Sequence, residues 1–89
     1  MYYLVERRYD SLGNLTRENR VSGNIPTTEI AYAKQRMEHL FQDKVIAFRH
    51  IVVGGSLSYG DRQCTMKLKT GRYEVAILST QNQQREKIQ

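Results

Sequence analysis

The alternation of apolar and polar positions divides the chain into a hairpin, a helix and a second run of strands. Tyr2 to Tyr9 is rich in aromatic and β-branched residues, and Asp10-Ser11-Leu12-Gly13-Asn14 supplies turn chemistry before a further extended run from Leu15 to Val21. The two runs form a hairpin whose loop of two to four residues leaves the register open. Most registers bring Arg7 or Arg17 near Glu6 or Glu18. Ser22-Gly23-Asn24-Ile25-Pro26 breaks the strand, and Pro26 pushes Ile25 toward an extended conformation. A helix starts next, with Thr27 or Thr28 as N-cap and Glu29 in the first turn, where the helix dipole favours negative charge. Ile30, Ala33, Met37, Leu40 and Phe41 fall at helical spacing on one side. Lys34 lies at the margin of that stripe, where its methylenes can cover apolar surface while the ammonium stays in water. Tyr32 lies opposite, beside Arg36 and His39, and is expected to be exposed.

Val45 to Val53 is dense in β-branched and aromatic residues and reads as a central strand, with Ile46, Phe48 and Val52 toward the helix and Val45, Ala47, Arg49, Ile51 and Val53 on the far face. Turns at Gly54-Gly55-Ser56 and Gly60-Asp61 flank a short Leu57-Ser58-Tyr59 piece, and a strand follows from Arg62 to Lys69. A two-residue loop at Thr70-Gly71 pairs Cys64, Met66 and Leu68 with Ile77, Val75 and Tyr73, and sets Lys67 opposite Glu74 and Lys69 beside Arg72. From Gln81 to Gln89 the chain is almost wholly polar and reads as a tail on a single domain of residues 1–80. The expected architecture is α+β. One helix packs on one face of a curved antiparallel sheet of four to five strands, in the order ββαβββ, and the other face stays open.

Length and composition narrow this further. Eighty-nine residues make one domain, and 39% apolar content makes its core thin. No apolar run approaches the roughly 18 residues that cross a bilayer, and Met1 to Glu6 does not resemble a secretory leader, so the expectation is a cytoplasmic protein without a membrane partner. The lone Cys64 permits no internal disulfide and fits a reducing compartment. The net charge of +5 is unevenly placed, because residues 44–72 hold six bases against one acid. A basic patch and an acidic partner follow.

Catalytic and metal chemistry find little support. Cys64 falls on the inward face of its strand, where a thiol acts as a small hydrophobe. His39, His50 and Cys64 stand too far apart for a zinc site, and the acids are scattered one to an element, so neither metal nor other cofactor is implied. The stretch Gly54 to Gly60 lacks the lysine and the following helix of a phosphate loop. What remains is the open sheet face, lined by Arg49, Lys67, Lys69 and Arg72 with Ala47, Ile51 and either the Tyr3/Val5 or the Tyr2/Leu4 pair, and with Tyr59 and Arg62 at its edge. Such a mixture suits a partner that is acidic and shaped.

The helix entry Thr27-Thr28, the Ala33-Lys34-x-Arg36 core, the strand Val45-Ile46-Ala47-Phe48 and the closing hairpin with Cys64 and Lys69-Thr70 together resemble a group of small phage anti-CRISPR proteins. The resemblance runs in element order from about Tyr3 to Ile77, while the hairpin from Arg7 to Arg20 and the Gly54-Gly55 insertion depart from the group's compact pattern. It implies a single helix on an antiparallel sheet and binding to the backbone subunits of a type I CRISPR surveillance complex. Target DNA hybridisation would be hindered, with Lys34, Arg36 and Lys69 as the matching basic contacts.

The leading expectation is therefore a non-enzymatic inhibitor or adaptor, monomeric or homodimeric, that docks its basic face and helix rim on a larger protein or nucleoprotein. The expected contacts are Arg49, Lys67, Lys69, Arg72, Tyr32, Lys34, Arg36, Tyr59 and Arg62. Direct nucleic-acid binding is the alternative, motivated by the charge in residues 44–72. A metal-independent ribonuclease toxin is third, disfavoured because such toxins usually place two helices before the sheet.

Overall fold

A computed structural model describes residues 1–80, and the expected tail of 81–89 lies outside the described residues. The chain forms β1 (Tyr2–Asp10), β2 (Leu15–Arg20), a single 3-10 turn (Thr27–Glu29), α1 (Ile30–Ala47), β3 (Ser58–Tyr59), β4 (Gln63–Leu68) and β5 (Gly71–Ser79). The five strands make one open antiparallel sheet in the order β2-β1-β5-β4-β3, with α1 across one face. The α+β architecture expected from the pattern is the one observed.

Side-chain chemistry fixes the first hairpin. Asp10 Oδ1 accepts from the backbone N–H groups of Leu12 and Asn14, both at 2.9 Å, and Gly13 takes the left-handed φ of +88° that closes the turn. Arg7 and Glu18 are cross-strand partners, as most of the open registers allowed. A bulge at Thr16 shifts the register between Arg8 and Tyr9.

Helix entry differs from expectation. Neither threonine caps α1. Pro26 leads into the 3-10 turn instead, and the Glu29 N–H donates to the Pro26 carbonyl at 2.9 Å, so the backbone satisfies itself. The expected stripe is inward, with Ala33, Met37 and Phe41 fully buried and Ile30 and Leu40 packed beside them.

Val45 to Val53 is not a strand. The helix runs on to Ala47, because Val45 and Phe48 continue the stripe at i+4 and i+7 from Phe41, and burial on that period outweighs the β-propensity of the individual residues. Ile46, expected inward, is 63% exposed, whereas Val45 and Ile51, expected on the far face, pack against the core with Phe48 and Val52. Only residues 51–53 join the sheet. The Val53 N–H donates to Lys67 O and the Lys69 N–H to Ile51 O, both at 2.8 Å. With Ser56 Oγ accepting from the Lys67 N–H at 3.1 Å and β3 pairing further along, the outer rim of β4 is occupied.

The closing hairpin keeps a two-residue turn but makes it one position earlier than expected, at Lys69-Thr70, which slips the pairing by two and sets Cys64, Met66 and Leu68 opposite Val75, Tyr73 and Gly71. Gly71 belongs to the ladder because it is needed there. Its φ is +147°, and a Cβ would stand 1.9 Å from the Tyr9 carbonyl oxygen of β1. A slip of two keeps every side chain on its expected face, so Leu4, Cys64, Met66, Tyr73, Val75 and Ile77 still meet the helix.

Candidate functional site

The pairing register places rows of side chains across the face opposite the helix. Reading β2, β1, β5 and β4 in turn, one row is Arg20, Val5, Ala76 and Gln63, and the next is Glu18, Arg7, Glu74 and Thr65. Beyond the bulge the row is Leu15, Tyr9, Arg72 and Lys67. Period-two alternation along β1 thus puts Tyr3, Val5, Arg7 and Tyr9 on this face, resolving the two open pairs in favour of Tyr3/Val5.

Glu74 organises the centre. It is 5% exposed and accepts from Arg7 Nη1 at 3.2 Å and from the Tyr9 hydroxyl at 3.4 Å, with Arg72 Nη2 at 3.6 Å. Arg7 also donates through Nε to Glu18, and that bond holds its pKa above the ordinary guanidinium value against the opposing effect of burial. The remaining guanidinium faces are stacked: Arg20 lies 4.3 Å from the Tyr3 ring centroid and Arg72 4.3 Å from that of Tyr9. Val5 and Ala76 are buried beneath these groups without belonging to the core under the helix.

Toward the two turns the face opens into a groove of about 540 Å³ lined by Tyr9, Asp10, Ser11, Thr65, Lys67, Lys69 and Arg72. Lys67 and Arg72 are direct cross-strand partners, and Lys69 follows in the turn. The ammonium groups of Lys67 and Lys69 have no ion-pair partner among the described residues. Asp10 does not neutralise them: its carboxylate is turned back into its own loop, where backbone N–H donors, chiefly that of Asn14, hold its pKa below the usual carboxylate range.

Of the nine expected contacts, Lys67, Lys69 and Arg72 come together here, and the other six do not join them. Arg49 follows the helix, its Nη1 donating to the Ile46 carbonyl at 3.3 Å, because the strand expected to carry it does not form. Tyr32, half exposed as expected, and Arg36 line a separate groove of about 420 Å³ against residues 21–25. Lys34 pairs with Asp61 at 3.0 Å, which raises the lysine pKa and lowers that of the aspartate. Arg62 lies 4.9 Å from the centroid of the Tyr2 ring, and Tyr59 packs edge-on to Phe41 at 5.2 Å. Arg7, Arg20, Tyr9 and Glu74 escaped the sequence reading as a unit. The alternation from Tyr3 to Tyr9 carried the signal, but the register that joins it to Glu74 spans more than 60 residues of chain.

Cys64 is buried against the helix, as expected, and burial pushes its thiol pKa up. No helix among the described residues is long and apolar enough to cross a membrane. No protein-family model, curated protein or solved structure matches the chain.

Proposed function

We propose that the chain is a non-enzymatic inhibitor or adaptor that docks the Lys67–Lys69–Arg72 end of its open sheet face on an acidic protein surface. The observation that carries this reading is the groove itself, where two lysines without an ion-pair partner and a stacked arginine stand over an aromatic wall, with no free carboxylate opposite among the described residues. Arginine and tyrosine held in place lose little side-chain entropy on association, and the flanking Val5/Ala76 floor offers apolar area once the covering side chains shift.

Direct nucleic-acid binding ranks second on the same cations. Against it, the Tyr3 and Tyr9 rings are already covered by guanidinium groups, which denies them to stacked bases, and Glu18 and Glu74 lie along the path of a polyanion. The narrower anti-CRISPR form gains less from the fold. Lys34 and Arg36 are two residues apart on one helix and so face different ways, and Lys69 stands in the β4–β5 turn, so the three carried-over contacts do not make one patch.

Mixing the protein with a type I surveillance complex and labelled target duplex tests the narrow form: target binding falls if it holds and is unchanged at saturating protein if it does not. The broader reading is tested by capture from a bacterial lysate, with and without nuclease, using wild type and a Lys67→Glu/Lys69→Glu variant. A protein partner retained after digestion and lost in the variant supports it. Loss of all partners on digestion replaces it with nucleic-acid binding, for which log K should fall with log salt by about 0.7 per phosphate contact on a single strand.

A further inference from the structure

On the helix side of the sheet, away from the groove just described, Arg8 of β1 lies directly opposite Arg17 of β2. Like charges set face to face across a ladder are destabilising, and sequences that place them there without compensation lose stability for nothing. No carboxylate among the described residues pairs with either one. Arg8 lies 4.8 Å from the centroid of the Phe48 ring, and Arg17 Nε lies beside the Asn19 side-chain amide, whose oxygen accepts from it at 3.0 Å once that amide is flipped to satisfy its donors and acceptors. A third cation, Lys44 from the last turn of α1, points to the same place, 5.9 Å from the Phe48 centroid.

These groups surround a small cleft of about 80 Å³ with Glu6, Phe48 and Tyr73 among its walls. Glu6 is its one acid among the described residues and is already engaged: Oε2 accepts from the buried Tyr73 hydroxyl at 2.8 Å and faces Lys44 Nζ at 3.8 Å. The Tyr73–Glu6 bond anchors the floor, and the Thr16 bulge beside Arg17 alters the course of β2 at the cleft mouth. The volume suits one tetrahedral oxyanion and is too small for a nucleotide.

We infer that this cleft binds a single phosphate group, free or as a terminal monoester, held by the Arg8 and Arg17 guanidiniums with Lys44 as a further cation. Planar guanidiniums bond phosphate oxygens two at a time, and a bound dianion turns the Arg8–Arg17 repulsion into a bridge. The site is separate from the docking groove, so its failure leaves that reading standing.

The test is a titration with inorganic phosphate at constant ionic strength, read by amide NMR shifts and by thermal unfolding. Saturable shifts at Arg8, Arg17 and Lys44 are expected, with a rise in Tm that follows occupancy. Arg17→Gln, at an exposed edge position, should weaken phosphate by about tenfold through loss of a charge-assisted bond. Without phosphate the same variant should melt about 2 °C higher, since the repulsion is gone. A residue of merely structural importance would not give these opposite signs. Arg17→Lys should retain only part of the affinity, and Lys69→Gln all of it. Shifts that grow linearly and match those of chloride, or that centre on Lys67 and Arg72, overturn the assignment. So does a dinucleotide lacking a terminal phosphate that binds as tightly as phosphate.

Discussion

Tyr73 is 2% exposed, and its hydroxyl donates to Glu6. Burial, reinforced by that carboxylate, raises its pKa well above 10.0. The sign follows directly. The folded state favours the neutral phenol, so this contribution is fully present below pH 10 and is lost as pH rises past the unfolded value. Tyr73 should therefore ionise only as the protein unfolds in alkali, visible as a tyrosinate absorbance step coincident with loss of circular dichroism. Tyr73→Phe should remove that component at a cost of about 1 kcal/mol for the lost hydrogen bond. Gly71 makes a sharper case, because alanine there would drive a methyl into the Tyr9 carbonyl at a φ that side chains avoid. Gly71→Ala should lower the urea midpoint by an amount equivalent to more than about 2 kcal/mol. At this scale the sequence was half legible. Gly71 was visible as a special residue, yet its proximity to Thr70 suggested a turn, and only the approach of β1 explains why the ladder takes it.

Among the elements, the length of α1 is what the local sequence conceals most. Val45, Ile46, Phe48, Ile51, Val52 and Val53 have strand character one by one, and nothing local punctuates the chain between Lys44 and Val53 to separate helix from strand. What decides is the spacing Phe41, Val45, Phe48, which places three side chains on the face that Tyr73 and Tyr59 enclose. The hairpin and the α1 stripe were legible because alternation and helical spacing there agreed with the turn residues at each end. A paired measurement separates the two descriptions of this region. Phe41→Ala should cost about 3–5 kcal/mol, a large share of the roughly 4–13 kcal/mol available to a chain of this size. Ile46→Lys should change the unfolding free energy by less than about 0.5 kcal/mol, because its side chain stands in water; a strand register with Ile46 inward would make that substitution severe.

Over the whole molecule, the excess positive charge lies in residues 44–72, and the fold divides it. Lys44 goes to the cleft beside Phe48 and Arg49 to the turn after α1, while Arg62 covers Tyr2 and only Lys67, Lys69 and Arg72 share the groove. Sequence proximity could not foresee this division because the hairpin Tyr2–Arg20, far away in the chain, supplies the remaining wall of both basic sites. Lys67→Glu/Lys69→Glu should accordingly slow association with an acidic partner, most strongly at low salt, while leaving Tm nearly unchanged. Stopped-flow association rates across a salt series would check this.

The two borders of the sheet are unequal: residues 51–53, Ser56 and β3 close off β4, while β2 presents six residues on the other side. Strand-to-strand addition therefore has one long place to begin, studded with Arg17, Glu18 and Arg20. A second copy joining there edge to edge would use up that place on both molecules and leave outside, among the described residues, the short pieces 51–53 and β3. Growth by this route would end at a pair, since the described residues offer no second border of that length from which a filament could extend.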